Sequence, residues 1–459
     1  MQKLSKLRNG ILKYLVAAVL LGVPLYPKFP FIRVPGTAVS IRLEDFLILT
    51  LAVATFFFFL PKLKEVVKDE LNRAIFLFLL VGFVSVISGI FLTKTIPAQI
   101  GFLHWIRRIE YLVPFFAGMQ VVKNDRNNLA FYLKLLIITV FFVFIYGYGQ
   151  KNYSWPIIIT QNEEYSKGVA LRYLPGSHIN STFAGHYDLA TYLVLVMPIM
   201  ISAFLLLKGF WSKTSLFLAL ITGVWLLVNA VSRISLVTYL LGVVASSLLI
   251  KKYKGVFFVV AGSLILMLVL GLSTNLAARY ERIIDVVKEK VLNISFSFPD
   301  EVFAQDASDN PLRRVRATPT PQPTPIFEDR STSIRVNVEW PRAIRALAKN
   351  PLLGTGYSSI TLATDNDYLR LLGEVGLIGF FAFSLLIVKI GSLFYKVVPL
   401  FENYTGIELV FVSGVLGALP GVLINALFID VFEASKFAII FWLLMGMTVQ
   451  LVKDKIYVQ

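Results

Sequence analysis

No cysteine occurs among the 459 residues, and histidine occurs only three times. The chain therefore has no disulfide framework, no thiolate nucleophile and no thiolate metal site, and three imidazoles cannot build a histidine-rich metal centre. Charge is scarce as well. Charged residues make up 16% of the chain, where a soluble domain carries roughly a quarter. What replaces them is apolar: 56% of the residues are hydrophobic and the mean hydropathy is +0.72. The apolar residues fall in runs near 11–27, 43–60, 74–93, 97–119, 129–149, 187–207, 214–231, 234–250, 255–273, 368–395, 406–429 and 435–452. Each is close to the ~20 residues a helix needs to cross a bilayer. The expected fold is an all-α polytopic membrane protein of about twelve transmembrane helices, one integral domain over residues 1–459.

The first run follows Met1-Gln-Lys-Leu-Ser-Lys-Leu-Arg, a basic start that also suits a signal peptide. Pro24-Leu-Tyr-Pro-Lys follows it instead of a small-residue cleavage site, so the run reads as an uncleaved first helix. The formal net charge is +16. Lys3, Lys6, Arg8, Lys62, Lys64, Lys68, Lys208, Lys213, Lys251, Lys252, Lys254, Lys453 and Lys455 all fall on one side if both termini are cytoplasmic. The positive-inside rule thus explains part of the charge, and no nucleic-acid partner is expected.

Two outer loops are expected: 150–186, and a large one over 275–366 between the ninth and tenth helices. The second carries twelve Lys and Arg residues, nine of them Arg. Long loops escape the positive-inside rule, yet arginine is the side chain that forks onto phosphate. Tyr280, Ile283, Ile284, Val287 and Val291 form an apolar stripe at helical spacing, which suits a helix on the membrane surface or one packed on the bundle. The Pro/Thr stretch 317–325 reads as an extended spacer. Arg335 to Lys349 reads as a short amphipathic helix, with Arg335, Glu339 and Arg342 on one face and Pro341 interrupting its backbone bonding.

Charges inside apolar runs are costly and are functional by default. Arg107, Arg108 and Glu110 interrupt the fourth run. Two readings stand for them, an i,i+3 ion pair or phosphate binding. Arg233 follows Ser232 in a tight turn between two helices, placed to meet a diphosphate or to snorkel. Asp365-Asn-Asp367 is formally a D-x-D pattern, which either binds a metal–diphosphate or caps the helix that follows. His186 opens the sixth run, as a substrate contact or a hydrogen-bonded interfacial histidine.

Taken together, these pieces resemble the O-antigen ligase and polymerase superfamily. Ser181-Thr-Phe183 through Leu189-Ala-Thr-Tyr-Leu193 and Met197-Pro198 is similar to that family's entry into a mid-chain helix. Ser232-Arg233 is similar to its helix-turn arginine. Ser333-Ile-Arg335, Trp340, Ala343, Pro351, Gly354 and Gly356 follow its large loop, and Asn366-Asp-Tyr-Leu369, Glu374 and Gly376-Leu-Ile-Gly379 the helix after it. The order of the pieces and the single large loop make the set specific.

The resemblance implies a membrane glycosyltransferase, GT-C-like, in the cytoplasmic (inner) membrane. Its donor would be a glycan on a polyprenyl (undecaprenyl) diphosphate, and its acceptor a glycan or lipid-glycan. Membrane lipids and a chain-length regulator are the implied partners. Transfer would be inverting and metal-independent, with no cofactor. Arg233 and Arg335 match the family's diphosphate-stabilising arginines; Arg172, Arg342 and Arg107 or Arg108 are added here on charge grounds, and His186, Asn366 and Tyr368 as further substrate contacts. Ligases of the family carry a histidine directly before the Asn-x-Tyr-Leu element. Here Asp365 stands there, a carboxylate able to act as general base, and a polymerase fits as well as a ligase. The competing class is a flippase for lipid-linked oligosaccharide, distinguished by arginines that line a path across the bilayer; protein O-glycosylation is a third reading. An enzyme requires the arginines at one outward site beside Asp365.

Overall fold

The computed structural model describes residues 2–29, 31–33, 40–158, 170–171, 173–174, 177–272, 334–360 and 364–456. The expected surface helix at 280–291, the Pro/Thr spacer 317–325 and Arg172 lie outside these residues.

Fourteen α-helices follow one another among the described residues. They are α1 (Gln2–Leu25), α2 (Leu43–Phe59), α3 (Leu63–Lys68), α4 (Glu70–Phe91), α5 (Ala98–Asn124), α6 (Asn128–Tyr153) and α7 (His186–Leu206). Then come α8 (Phe210–Asn229), α9 (Arg233–Leu249), α10 (Tyr253–Leu272), α11 (Trp340–Lys349), α12 (Asp367–Val397), α13 (Gly406–Asn425) and α14 (Ser435–Ile456). The described strands are two short antiparallel pairs, Ile32–Arg33 with Ser40–Ile41 and Ile157–Ile158 with Ala170–Leu171.

Among the described residues ten helices are long and apolar enough to cross a bilayer, one of them running from Leu43 to Lys68 through a 3₁₀ turn. The remaining two expected runs are also helical but differ physically. The 27 residues of α5 are long enough, and its charges Arg107, Arg108 and Glu110 lower its hydropathy. The 17 residues of α9 span about 25 Å at 1.5 Å per residue, a little short of the ~30 Å hydrocarbon core.

α14 is the axis of the bundle, buried along its whole apolar stretch, and α7 is nearly as enclosed. α5 packs along α14, α13 packs on α7 and α9, and α12 packs on α4. The α5–α14 contact is close because it is built on small residues: a Cβ at Gly446 would meet the Phe115 carbonyl oxygen. α10 lies at the periphery.

One end of the bundle is fastened by a buried lysine. Lys436 Nζ donates to the carbonyl oxygens of Pro24 (3.1 Å), Tyr26 (2.6 Å) and Thr182 (2.7 Å), matching the three protons of an ammonium. The end of α1, the turn before α7 and the start of α14 therefore meet there. At the opposite end Lys453 pairs with Asp69 at 2.6 Å and Arg126 with Asp454 at 2.9 Å. The start of α1 and the end of α14 thus share the end away from the Lys436 junction.

Candidate active site

Three helices begin at the Lys436 end around the close of α13. Asn425, fully buried, joins two of them. Its Nδ2 donates to Thr191 Oγ1 of α7 (3.3 Å) and Ser235 Oγ of α9 (3.2 Å). The third is tied by backbone, where Asp367 N donates to Ala426 O at 3.0 Å. The N-termini of α7, α9 and α12, each with partial positive charge, thus gather at one place. Asn366 caps α12 by accepting from Tyr368 N and Leu369 N, both at 3.1 Å. Of the two carboxyls in Asp365-Asn-Asp367, neither is that cap.

Asp365, freed from capping, faces Arg335: Nη2 donates to Oδ2 at 2.9 Å. The same guanidinium reaches Tyr187 Oη at 3.4 Å and lies 5.8 Å from that ring. Arg335 sits in a single π-helical turn, Arg335–Glu339, in which Trp340 N bonds back to Arg335 O. Pro341 explains the widening, since it has no N–H to continue the ordinary pattern and sits in the first turn of α11.

Asp365 adopts φ +45°, an uncommon left-handed conformation. One side chain holds it there. Asp430 accepts from Thr364 N at 2.9 Å and Asn366 N at 3.4 Å, the amides on either side of Asp365. Asp430 also pairs with Arg370 (3.1 Å), whose Nε faces Glu374 at 3.8 Å. Asp367 Oδ2 accepts from Phe432 N at 3.0 Å. The 426–434 turn therefore wraps the Asp365 loop. Burial raises the proton affinity of Asp365; Arg335 lowers it and Asp430 raises it again, and the outcome stays above the usual aspartate range.

The remaining sequence candidates divide. His186 opens α7 and stacks on His178, ring centroids 3.7 Å apart, and on Tyr187 at 4.0 Å. It therefore adjoins the ring that touches Arg335. Arg233 opens α9 as an exposed residue, two positions from Ser235 and its bond to Asn425. The turn before it is strained, with the β-branched Val231 at φ +57°. Arg342, about two turns past Arg335, has a buried Nη1 without a hydrogen bond. Tyr368 Oη is engaged by Leu423 O at 2.9 Å, and the Asn366 side chain by the cap.

Arg107 pairs with Asp45 (3.7 Å) and Glu110 (4.0 Å), the i,i+3 ion pair expected as one of its two readings. Arg108 pairs with Glu433, donates to Phe432 O at 3.2 Å and stacks over Tyr357 at 5.0 Å. With Arg370, Glu374 and Glu433 it lines a small cavity among α4, α5, α12 and α14. Asp430, Glu433, Arg370 and Asn425 were not singled out from sequence. Asp430 and Glu433 follow directly on an apolar run, and nothing local marks them; only the fold brings them to the Asp365 loop.

The class this defines is an all-α integral membrane protein with a partly enclosed Arg–Asp site where three helices begin. Residues 216–384 match the family model described as O-antigen ligase. That match, over little more than a third of the chain, supports a likeness to the O-antigen ligase and polymerase superfamily, and with it a glycan-handling function in general. The matched stretch includes Arg233, Arg335, Arg342 and Asp365, and leaves out Arg107, Arg108 and His186. No curated protein matches the chain.

Proposed function

We propose that the chain transfers a glycan from a polyprenyl diphosphate to an acceptor hydroxyl at the outer face of the cytoplasmic membrane, in cell-surface polysaccharide assembly. The observation that carries this reading is the Arg335–Asp365–Tyr187 cluster at the mouth formed by α7, α9 and α12. In the reaction the acceptor oxygen attacks the anomeric carbon and its proton leaves to a base. The bond from that carbon to the diphosphate oxygen breaks with inversion, and the electron pair stays on the diphosphate. Charge therefore develops on the leaving group, where Arg335 and Arg233 stabilise it without a metal. Asp365 keeps the Arg335 fork aimed. The helix N-termini add favourable potential for the same anion.

Purified protein in lipid vesicles, given lipid-linked repeat units with and without a separate acceptor, tests this. A ladder of products without added acceptor identifies a polymerase, for which a chain-length regulator is the expected partner. A single product that requires the acceptor identifies a ligase. Product formation unchanged by a divalent-metal chelator is expected in both cases. Movement of the lipid-linked glycan across the bilayer, without a new glycosidic bond, would replace this reading by a flippase.

A further inference from the structure

The transfer reading, on which this inference rests, requires a group that removes the acceptor's proton. Asp365 has one carboxylate oxygen engaged by Arg335. A second carboxyl lies on the same side. Glu339 follows Arg335 by four residues within the π-helical turn, where roughly 4.4 residues complete a revolution, so both project from one face. Asp365 and Asp430, from the two loops packed against this helix, and Arg335 and Arg342, from the helix itself, all act electrostatically on its carboxyl.

Glu339 is half-buried, and its Oε2 is enclosed without a hydrogen bond. An orphaned buried acceptor is costly and calls for an explanation. Other side chains of the same helix and of the Asp365 loop share the condition. Trp340 Nε1, Arg342 Nη1 and Thr364 Oγ1 are also enclosed and unbonded. Glu339 as a residue is still partly exposed, and its carboxyl shares the face of Arg335, where a polyhydroxylated acceptor has a carboxylate to donate to.

We propose that Glu339 is the general base of the transfer and that Asp365 is the fixed counter-charge of Arg335. The acceptor hydroxyl gives its proton to the Glu339 carboxylate as its oxygen bonds to the anomeric carbon and the diphosphate departs with the bonding pair. Glu339 then releases the proton to water. Burial and the neighbouring Asp365 push its pKa to about 7, against the pull of Arg335 and with a smaller push from Asp430. A base poised there is ionised at working pH and still holds a proton well.

The test is the pH dependence of kcat for transfer from a lipid-linked donor, measured for wild type, Glu339→Gln, Glu339→Asp and Asp365→Asn. Polyprenyl diphosphate binding is measured on each. Wild type is expected to gain activity as pH rises through about 7, the pKa of Glu339. Glu339→Gln should lose that limb and about 10²–10⁴-fold in kcat, with diphosphate affinity within about threefold of wild type, since the binding arginines are untouched. Glu339→Asp should keep the limb at reduced kcat. Asp365→Asn should keep it too, displaced to lower pH, because removing a neighbouring negative charge makes Glu339 easier to ionise.

Wild-type kcat and an intact limb in Glu339→Gln would overturn the assignment. So would loss of the limb in Asp365→Asn alone, which would make Asp365 the base. If Glu339→Gln does not fold, Glu339→Asp decides: an unchanged kcat and limb midpoint removes Glu339 from the chemistry. A wild-type protein that forms no glycosidic bond brings down the transfer reading itself, an outcome distinct from an active Glu339→Gln.

Discussion

Asp365 holds its proton more tightly than a free aspartate although an arginine is hydrogen-bonded to it. Arginine contact alone depresses a carboxyl, but here burial is the larger effect and Asp430 adds to it. The sequence gives no sign of this, because Asp430 lies 65 positions away and reaches Asp365 only through the turn after α13. Asp430 is correspondingly sensitive. It fills two amides and faces the largely enclosed Arg370. Asp430→Ala removes the acceptor of two amides and one of the carboxylates beside Arg370, leaving Glu374 as its remaining ion-pair partner, so unfolding stability in detergent should fall by about 1–3 kcal/mol; an unaltered melting temperature would argue that the clamp is incidental. Glu339 makes a second prediction, on stability. Its pKa rises from 4.5 to about 7 in the folded protein. Between those values the folded state holds a proton that the unfolded chain has lost, so this group's contribution to stability falls as pH rises across that window. Glu339→Gln should flatten the melting temperature profile between about pH 5 and 7. A profile parallel to wild type would contradict the raised pKa.

α12 was expected from sequence as one run, 368–395, but its backbone breaks inside that run. Gly376 has φ 71° and ψ −174°, outside the helical region. The break leaves carbonyls and amides unpaired, and the 351–356 loop supplies their partners. Gly356 N donates to Glu374 O (2.8 Å), Thr355 N to Gly373 O (3.0 Å), and Leu377 N to Pro351 O (2.8 Å). The glycines of this motif were legible in sequence; their mutual packing was not, since it pairs Gly354 with Gly376 across a fold contact. A Cβ on Gly376 would meet Leu352 O and Gly354 N. Gly376→Ala should therefore cost several times the ~1 kcal/mol by which alanine favours a helix, while Gly391→Ala in the same helix, with open space around it, should be neutral or stabilising. Thermal unfolding of the two variants reads this directly, and equal behaviour would mean the break is not required. The end of α13 was also misplaced. The apolar Ala426-Leu-Phe-Ile429 extends the hydropathy run, whereas the helix closes at Asn425 and those residues begin the turn that bears Asp430.

At the scale of the molecule, the all-α membrane fold was legible because a bilayer leaves so few solutions: every expected apolar run is helical, since backbone groups in lipid must be bonded within the segment. The convergence of α7, α9 and α12 was not legible, because it depends on Asn425 and on backbone bonds between distant segments. Orientation is testable in a chain that has no native cysteine. Lys94, in the turn near the site (Thr95 Oγ1 to Thr355 O, 2.5 Å), and Lys62, at the opposite end, are both exposed. Lys94→Cys should react with a membrane-impermeant maleimide on intact cells and Lys62→Cys only after permeabilisation; the reverse would put the site on the cytoplasmic face. Stabilisation of the departing diphosphate by Arg335 is the step on which transfer depends most. The most direct measurement is single-turnover transfer from a lipid-linked donor in vesicles, scoring the new glycosidic bond and the released polyprenyl diphosphate for wild type and Arg335→Ala. The account predicts both products in equal amounts from wild type, and a rate lower by about 10²-fold or more in a folded Arg335→Ala protein. Equal rates in the two proteins, or glycan movement with no diphosphate released, would contradict it.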